Sequence, residues 1–297
     1  MWKHEIHKGS LHLNAKFSTC CSQGKITIPA LLTPPETLKT LLTENTTQAK
    51  YFRQNIRAFN SSLAFSSLCV KEDILKSRGP YTFRISGSVY HRIGQLFPEP
   101  GKDPKFAQIY IYDTDNELAN RLLWNSDLDK DILTDLQTMM HECNPFVHTF
   151  KHAADVMKTN ENFQLILTSD TTKDSRRYNL PTSSEISVIL PGTNTTEPSK
   201  RDIVLYCRST NHPEGHNIIH INETHSKYDS LHYVLLFPFG EDGWHIDIKH
   251  NDNKRKVSAM EFCSYRLMQS SDFNIILKSG RLFHHKDLTI AFIINMN

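Results

Sequence analysis

Glycine is scarce, 11 in 297 residues, and nowhere grouped as a phosphate-cradling loop requires. Such a loop wraps an anion in backbone amides and adds a lysine and a hydroxyl that holds magnesium. The nearest fragment, Pro100-Gly101-Lys102-Asp103, lacks an upstream glycine and has an acid where the hydroxyl belongs, so it reads as a turn. Long apolar runs are missing too. Leu231 to Phe239 and Leu288 to Ile294 fall far short of the roughly 20 residues of a membrane span, so no membrane partner is expected. Nor is there an excess of one charge. With 34 Lys and Arg against 32 Asp and Glu, the net charge of +2 gives no overall field that would hold nucleic acid, so any basic surface must be local.

The common catalytic signatures are also absent. No Gly-x-Ser-x-Gly elbow occurs, and no serine or cysteine sits in an activating context. No His-x-His occurs, the spacing by which alternate strand residues grip one divalent ion. His245 and His250, five apart, are expected on opposite faces of a strand. His216 and His220 could share a helical face, but Ile218, Ile219 and Ile221 favour a strand there. Glu241-Asp242, beside Gly243-Trp244, reads as a turn pair that caps backbone amides.

Cysteine is sparse, six in all, with no Cys-x-x-Cys. The start, Met1 to Lys8, lacks a secretory apolar stretch, so a reducing nuclear or cytoplasmic setting is expected, with free thiols and unmodified Asn-x-Ser/Thr sequons. Cys20-Cys21 beside Gly24 is the one arrangement that offers half of a structural zinc site, with His4, His7 and His12 upstream. These two cysteines are the candidate metal residues and zinc the candidate cofactor. Cys69, Cys143, Cys207 and Cys263 read as core residues.

What is present is periodicity. Glu36 to Leu42 and Gln48 to Phe65 repeat apolar residues at helical spacing, with Phe52, Ile56, Phe59 and Leu63 on one face. Asn116 to Trp124, Leu128 to Met140, Phe146 to Met157 and Ser258 to Met268 also read as helices. Period two sets in around Ser86-Gly87-Ser88, predicting a hairpin between Tyr81 to Ile85 and Val89 to Ile93, joined by a strand at Ala107 to Tyr112. Strands are predicted at Phe163 to Leu167, Glu185 to Leu190, Asp202 to Cys207, Ile218 to Ile221, Leu231 to Phe237 and Trp244 to Ile248. The expected fold is therefore α+β, a helical N-terminal half with a hairpin and a strand-rich C-terminal half. Residues 1–35 form a degenerate cysteine knuckle, 36–160 a helical and hairpin domain, 161–283 a strand-rich domain, and 284–297 a divergent tail.

Three local basic groups could meet phosphates. Arg176-Arg177-Tyr178 and Lys254-Arg255-Lys256 are cationic clusters, and Tyr51 to Arg57 interleaves aromatics with Arg53 and Arg57. Phosphates need only positive charge, while aromatics stack on unpaired bases. Arg176, Arg177, Lys254, Arg255 and Lys256 are the candidate nucleic-acid residues.

Several ordered runs carry a resemblance. They are Phe17-Ser-Thr-Cys-Cys-Ser-Gln-Gly-Lys-Ile26, Arg53-Gln-Asn-Ile-Arg-Ala-Phe-Asn-Ser-Ser-Leu-Ala-Phe65, Gly79-Pro-Tyr-Thr-Phe-Arg-Ile-Ser-Gly-Ser-Val-Tyr-His91 and Gln108-Ile-Tyr-Ile-Tyr-Asp113. Asp174-Ser-Arg-Arg-Tyr-Asn-Leu-Pro-Thr182, Arg201-Asp-Ile-Val-Leu205 and Tyr228-Asp-Ser-Leu-His-Tyr-Val-Leu-Leu-Phe-Pro-Phe-Gly240 follow in the same order. Together they resemble the region of Helitron rolling-circle transposon proteins that leads into the helicase-like N-terminal domain, entered here at Phe262 to Leu267 and Gly280 to Phe283. The resemblance implies DNA as a partner, together with nuclease and helicase segments that follow in the family. It carries over no catalytic residue, so the expectation is a truncated, non-catalytic, accessory DNA- or partner-binding module. The alternative expectation is an inert or domesticated interaction scaffold with no nucleic-acid role.

Overall fold

A computed structural model describes residues 17–69, 72–73, 84–85, 90–157, 164–167, 186–189, 203–206, 218–221, 224–268 and 273–286. Its helices begin with α1 (Ser18–Cys21), α2 (Glu36–Thr43) and α3 (Thr47–Leu63). The Thr46 hydroxyl accepts the Ala49 amide at 3.2 Å and starts α3, which then buries Phe52, Ile56, Phe59 and Leu63 on the face that their spacing predicts. Next come α4 (Ile109–Tyr112), α5 (Glu117–Trp124), α6 (Lys130–Cys143) and α7 (Pro145–Met157). Asp129 Oδ1 accepts from the amides of Asp131 and Ile132, both at 3.0 Å, and opens α6. At α7 the cap is Asn144, whose Oδ1 takes the Phe146 amide at 3.0 Å ahead of a proline that needs no hydrogen-bond partner in the first turn. The set closes with α8 (Tyr228–His232), α9 (Ala259–Met268) and α10 (Ile275–Lys278).

Among the described residues the strands are short: β1 (Ser67–Cys69), β2 (Glu72–Asp73), β3 (Arg84–Ile85), β4 (Tyr90–Gly94), β5 (Gln164–Leu167), β6 (Ile186–Ile189), β7 (Ile203–Tyr206) and β8 (Ile218–Ile221). All their pairings are antiparallel, β4 lying between β1 and β8, β2 against β3, and β5 between β6 and β7. Most of the predicted hairpin, residues 81–83 and 86–89, lies outside the described residues. Among those described, 84–85 pair with 72–73 and 90–92 with 67–69, and no pairing joins 84–85 to 90–94. Alternation marks a strand but not its partner.

The expectation of an α+β fold with a strand-rich C-terminal half is overturned, because helices and buried turns dominate among the described residues. Leu231 to Phe237 is the end of α8 followed by turns, and Trp244 to Ile248 is irregular, with a single isolated bridge at Lys249 and Lys256 beyond it. Ala107 to Tyr112, expected as a strand, lies in a 3-10 turn running into α4. A short apolar run carries no periodicity that separates a strand from a buried helical turn. What makes the turn tolerable at 231–237 is a side chain from α3. Asn60 donates through Nδ2 to the His232 carbonyl at 2.8 Å and accepts the Leu235 amide at 3.2 Å, while the Leu231 carbonyl takes the Phe65 amide at 2.9 Å. Backbone groups that a sheet would have paired are thus satisfied inside the core.

The main core joins α2, α3, α6 and α7 to Leu231, Tyr233, Val234, Leu235, Leu236 and Phe237. Within it sits a buried charge network. Arg121 donates to the Ser62 carbonyl, to Gln137 Oε1 at 3.1 Å and to Glu117 Oε2 at 3.3 Å, and its guanidinium lies 4.4 Å from the Tyr110 ring centroid. Glu117 also meets His141 Nε2 at 2.9 Å and Lys151 Nζ at 3.2 Å. Burial pushes the Glu117 carboxyl up, but His141, Arg121 and Lys151 outweigh it and hold the acid below its ordinary range. A second, smaller core gathers Ile26 and Ile28 with Val257 and Phe262, flanked by Trp244, Ile248, Cys263 and Tyr265. Among the described residues no helix is long and apolar enough to cross a membrane.

Candidate functional site

The segment 249–256 is a tight turn because its own polar residues close it. The His250 amide donates to the Arg255 carbonyl at 2.9 Å, the Asn253 amide to the His250 carbonyl at 2.9 Å, and the Lys254 amide to Asp252 Oδ1 at 3.0 Å. Asn253 takes the left-handed conformation (φ 55°), which its short polar side chain tolerates. Closure turns Lys249, Lys254, Arg255 and Lys256 into solvent. Asn251 then moors the turn to the N-terminal segment, donating through its amide to the Lys25 carbonyl at 2.7 Å and through Nδ2 to the Gly24 carbonyl and Thr27 Oγ1, each at 2.9 Å. Lys25 thereby joins the same surface.

The charges on this surface do not cancel. Lys25, Lys249, Lys254, Arg255 and Lys256 face Asp247, Asp252 and Glu261, five against three, a surplus of two positive charges. Arg255 pairs with Glu261, and Lys256 lies 3.7 Å from Asp247. Among the described residues Lys25, Lys249 and Lys254 have no carboxylate at ion-pair distance. Asp252 is held below its ordinary value first by the Lys254 amide and then by the charges of Lys25, His250 and Lys254. Glu261 also caps α9, its Oε2 accepting the Ser258 amide at 3.0 Å while its own amide donates to Ser258 Oγ at 3.3 Å. Burial pushes Glu261 up, yet the Ser258 and Ser22 hydrogen bonds and Arg255 bring it below the usual carboxylate range.

Beneath the turn lies a cavity of about 330 Å³ whose wall includes Asp242, His245, His250 and Arg266. The expectation that His245 and His250 point to opposite faces of a strand therefore fails. The segment is not a strand, and both buried imidazoles line one space. His250 Nε2 stands 3.6 Å from Glu261 Oε2. Arg266 donates to the Pro29 carbonyl and lies over the Phe262 ring, and burial lowers its pKa to about 10. Asp242 is paired with Lys227 at 2.7 Å. Glu241 accepts the Phe239 amide at 3.1 Å, the capping role expected of it, and burial pushes its carboxyl up to about 7. Among the described residues no three His, Cys, Asp or Glu side chains converge as a metal site.

Of the other expected site residues, only the Cys21 side chain is among those described, buried next to Ser22, which bonds Glu261 on this surface. Cys21 is buried in α1, which packs on α9, and its thiol donates to the Phe17 carbonyl at 3.3 Å. The Cys20 side chain, Arg176, Arg177 and His216 lie outside the described residues. The sequence marks Lys254, Arg255 and Lys256 as a cluster, and the structure sets Lys25 and Lys249 beside them. The Asn251-Asp252-Asn253 run was the available signal, since such a run closes a turn and brings its flanks together. No family model and no curated protein matches the chain.

Proposed function

We propose that the chain is a non-catalytic accessory module of a Helitron-type transposition protein, and that it engages DNA phosphates through the turn 249–256. The observation that carries this reading is the surplus of two positive charges on the surface that Lys25, Lys249, Lys254, Arg255 and Lys256 form, its backbone moored by Asn251 rather than left on a free loop. A moored turn keeps the lysine backbones together at one place, and contacts to phosphates read charge, not sequence. The ordered runs resembling Helitron proteins support DNA as the partner, working beside nuclease and helicase segments of such a protein.

Fluorescence anisotropy with labelled single- and double-stranded oligonucleotides tests this. Binding should weaken linearly in log salt, with a duplex slope that falls by about 0.9 for each phosphate contact removed. Lys249→Ala and Lys254→Ala should each flatten that slope. Absence of binding at micromolar protein, or a slope unmoved by both substitutions, refutes the assignment.

A further inference from the structure

A second surface, distant in sequence from the basic turn, has a different chemistry. Two cavities of about 530 and 810 Å³ share Ser67 and Phe106 in their walls and so form one groove. Among the described residues no carboxylate lines the first cavity. Its wall carries Arg57, exposed on α3, with Gln54, Ser61 and Asn125, whose side chains hold no hydrogen bond or ion pair among the described residues. These are uncommitted donors around a space with one permanent positive charge. His232 and His285 complete the wall. Burial drives His232 down to about 4, and burial with the Arg57 charge lowers His285, so both are neutral near pH 7.

Phe106 stands where the two cavities adjoin. Its φ of 53° is a conformation that bulky residues avoid, and its half-buried ring belongs to neither apolar core. The neighbours enforce this placement. The Lys105 amide donates to Gln108 Oε1 at 3.1 Å, Gln108 Nε2 donates to the carbonyls of Gln95 and Phe97 at 3.0 and 3.1 Å, and the Ala107 amide reaches the Phe65 carbonyl at 3.2 Å. Strain that is overdetermined by its surroundings and spent on an unpacked aromatic marks a working position. In the second cavity Trp124, 47% exposed, is fixed by its indole hydrogen bond to the Pro104 carbonyl, with the Lys105 ammonium 3.5 Å from its ring centroid.

We propose that this groove binds nucleotide units with unpaired bases, a base stacking on Phe106, its edge meeting Gln54 and Asn125, and a phosphate held by Arg57. Aromatic faces with interspersed cations and amide donors are what such ligands require, and a duplex keeps its base faces covered. The ligand class rests on the nucleic-acid reading above, while the site uses none of its residues. A free nucleotide and a single strand offer the same chemistry, so both serve as probes.

The test uses the full chain, a labelled oligothymidylate and thymidine monophosphate as competitor. Phe106→Gly accepts the left-handed backbone and removes only the ring, so it should fold like the parent and bind the oligonucleotide about tenfold more weakly. Phe106→Trp should restore binding and report it by fluorescence quenching. Arg57→Ala should weaken binding and lower the salt slope by about 0.7, the single-strand value per phosphate. Competition by the monophosphate at concentrations near that of the oligonucleotide identifies a free nucleotide as the ligand. Competition only at far higher concentration identifies the strand. If Phe106→Gly and Arg57→Ala bind like the parent, the groove assignment is wrong; the reading of the basic turn then survives only if Lys249→Ala and Lys254→Ala weaken binding.

Discussion

Replacing Arg121 by methionine is the sharpest test of how the helical core is held. Methionine keeps the unbranched stem but removes the charge and every donor to Glu117, Gln137 and the Ser62 carbonyl. Breaking one half of a buried ion pair costs about 3–5 kcal/mol because the other charge stays in the interior. Glu117 retains His141 at 2.9 Å and Lys151 at 3.2 Å, which places the loss at the lower end, about 3 kcal/mol. That is a large share of a stability of about 5–15 kcal/mol and corresponds to about 5 °C in melting temperature for a chain of this length. Urea titration followed by circular dichroism, with a thermal melt beside it, measures both. The double variant Arg121→Met with Glu117→Gln removes the stranded charge and should recover at least about 1 kcal/mol of the loss. A single variant that melts within about 2 °C of the parent, or a double variant no better than the single, refutes the reasoning.

The remaining predictions follow from the same geometry. His232 has its folded value lowered to about 4 from 6.5, so its contribution to stability is complete above pH 6.5 and is lost as pH falls toward 4. Glu241 is raised to about 7 from 4.5, so its contribution is complete below pH 4.5 and lost as pH climbs through 7; Glu241→Gln should remove that decline in a plot of melting temperature against pH. Gly243→Ala would set a methyl 2.9 Å from Asp229 Oδ2 and 3.0 Å from Asp229 Cβ, forcing apart the Asp229 and Lys286 pair, and should cost about 1–3 kcal/mol in urea titration. Lys254→Ala should leave the melting temperature unchanged while reducing the salt dependence of DNA binding, a separation that a structural role for this exposed lysine would not give.

Legibility in the sequence tracked the range of the interactions. Phe52, Ile56, Phe59 and Leu63 announce α3, and Ser258 with Glu261 announces the start of α9, because spacing and caps act within a few residues. The Leu231 to Phe237 run misleads for the opposite reason. What makes a buried turn acceptable there is the Asn60 side chain, 172 residues upstream of the carbonyl that it serves. The same holds at the candidate sites. Lys254, Arg255 and Lys256 are visible as a cluster, whereas Lys25 joins them only through Asn251, and His245 and His250 come together only once the strand is abandoned. Phe106 gives no sign in the sequence, since the amide of Gln108 that helps hold it reaches back to Gln95 and Phe97.

The mooring of Gly24 to Thr27 on Asn251, with Ile26 and Ile28 pressed against Val257 and Phe262, makes the two ends of the described chain one another's lining. Deleting residues 17–29 would therefore not shed an appendage. It would strip the smaller core of Ile26 and Ile28, lay bare an oily seam under the basic turn, and convert what looked like a harmless shortening into a protein that sticks to itself.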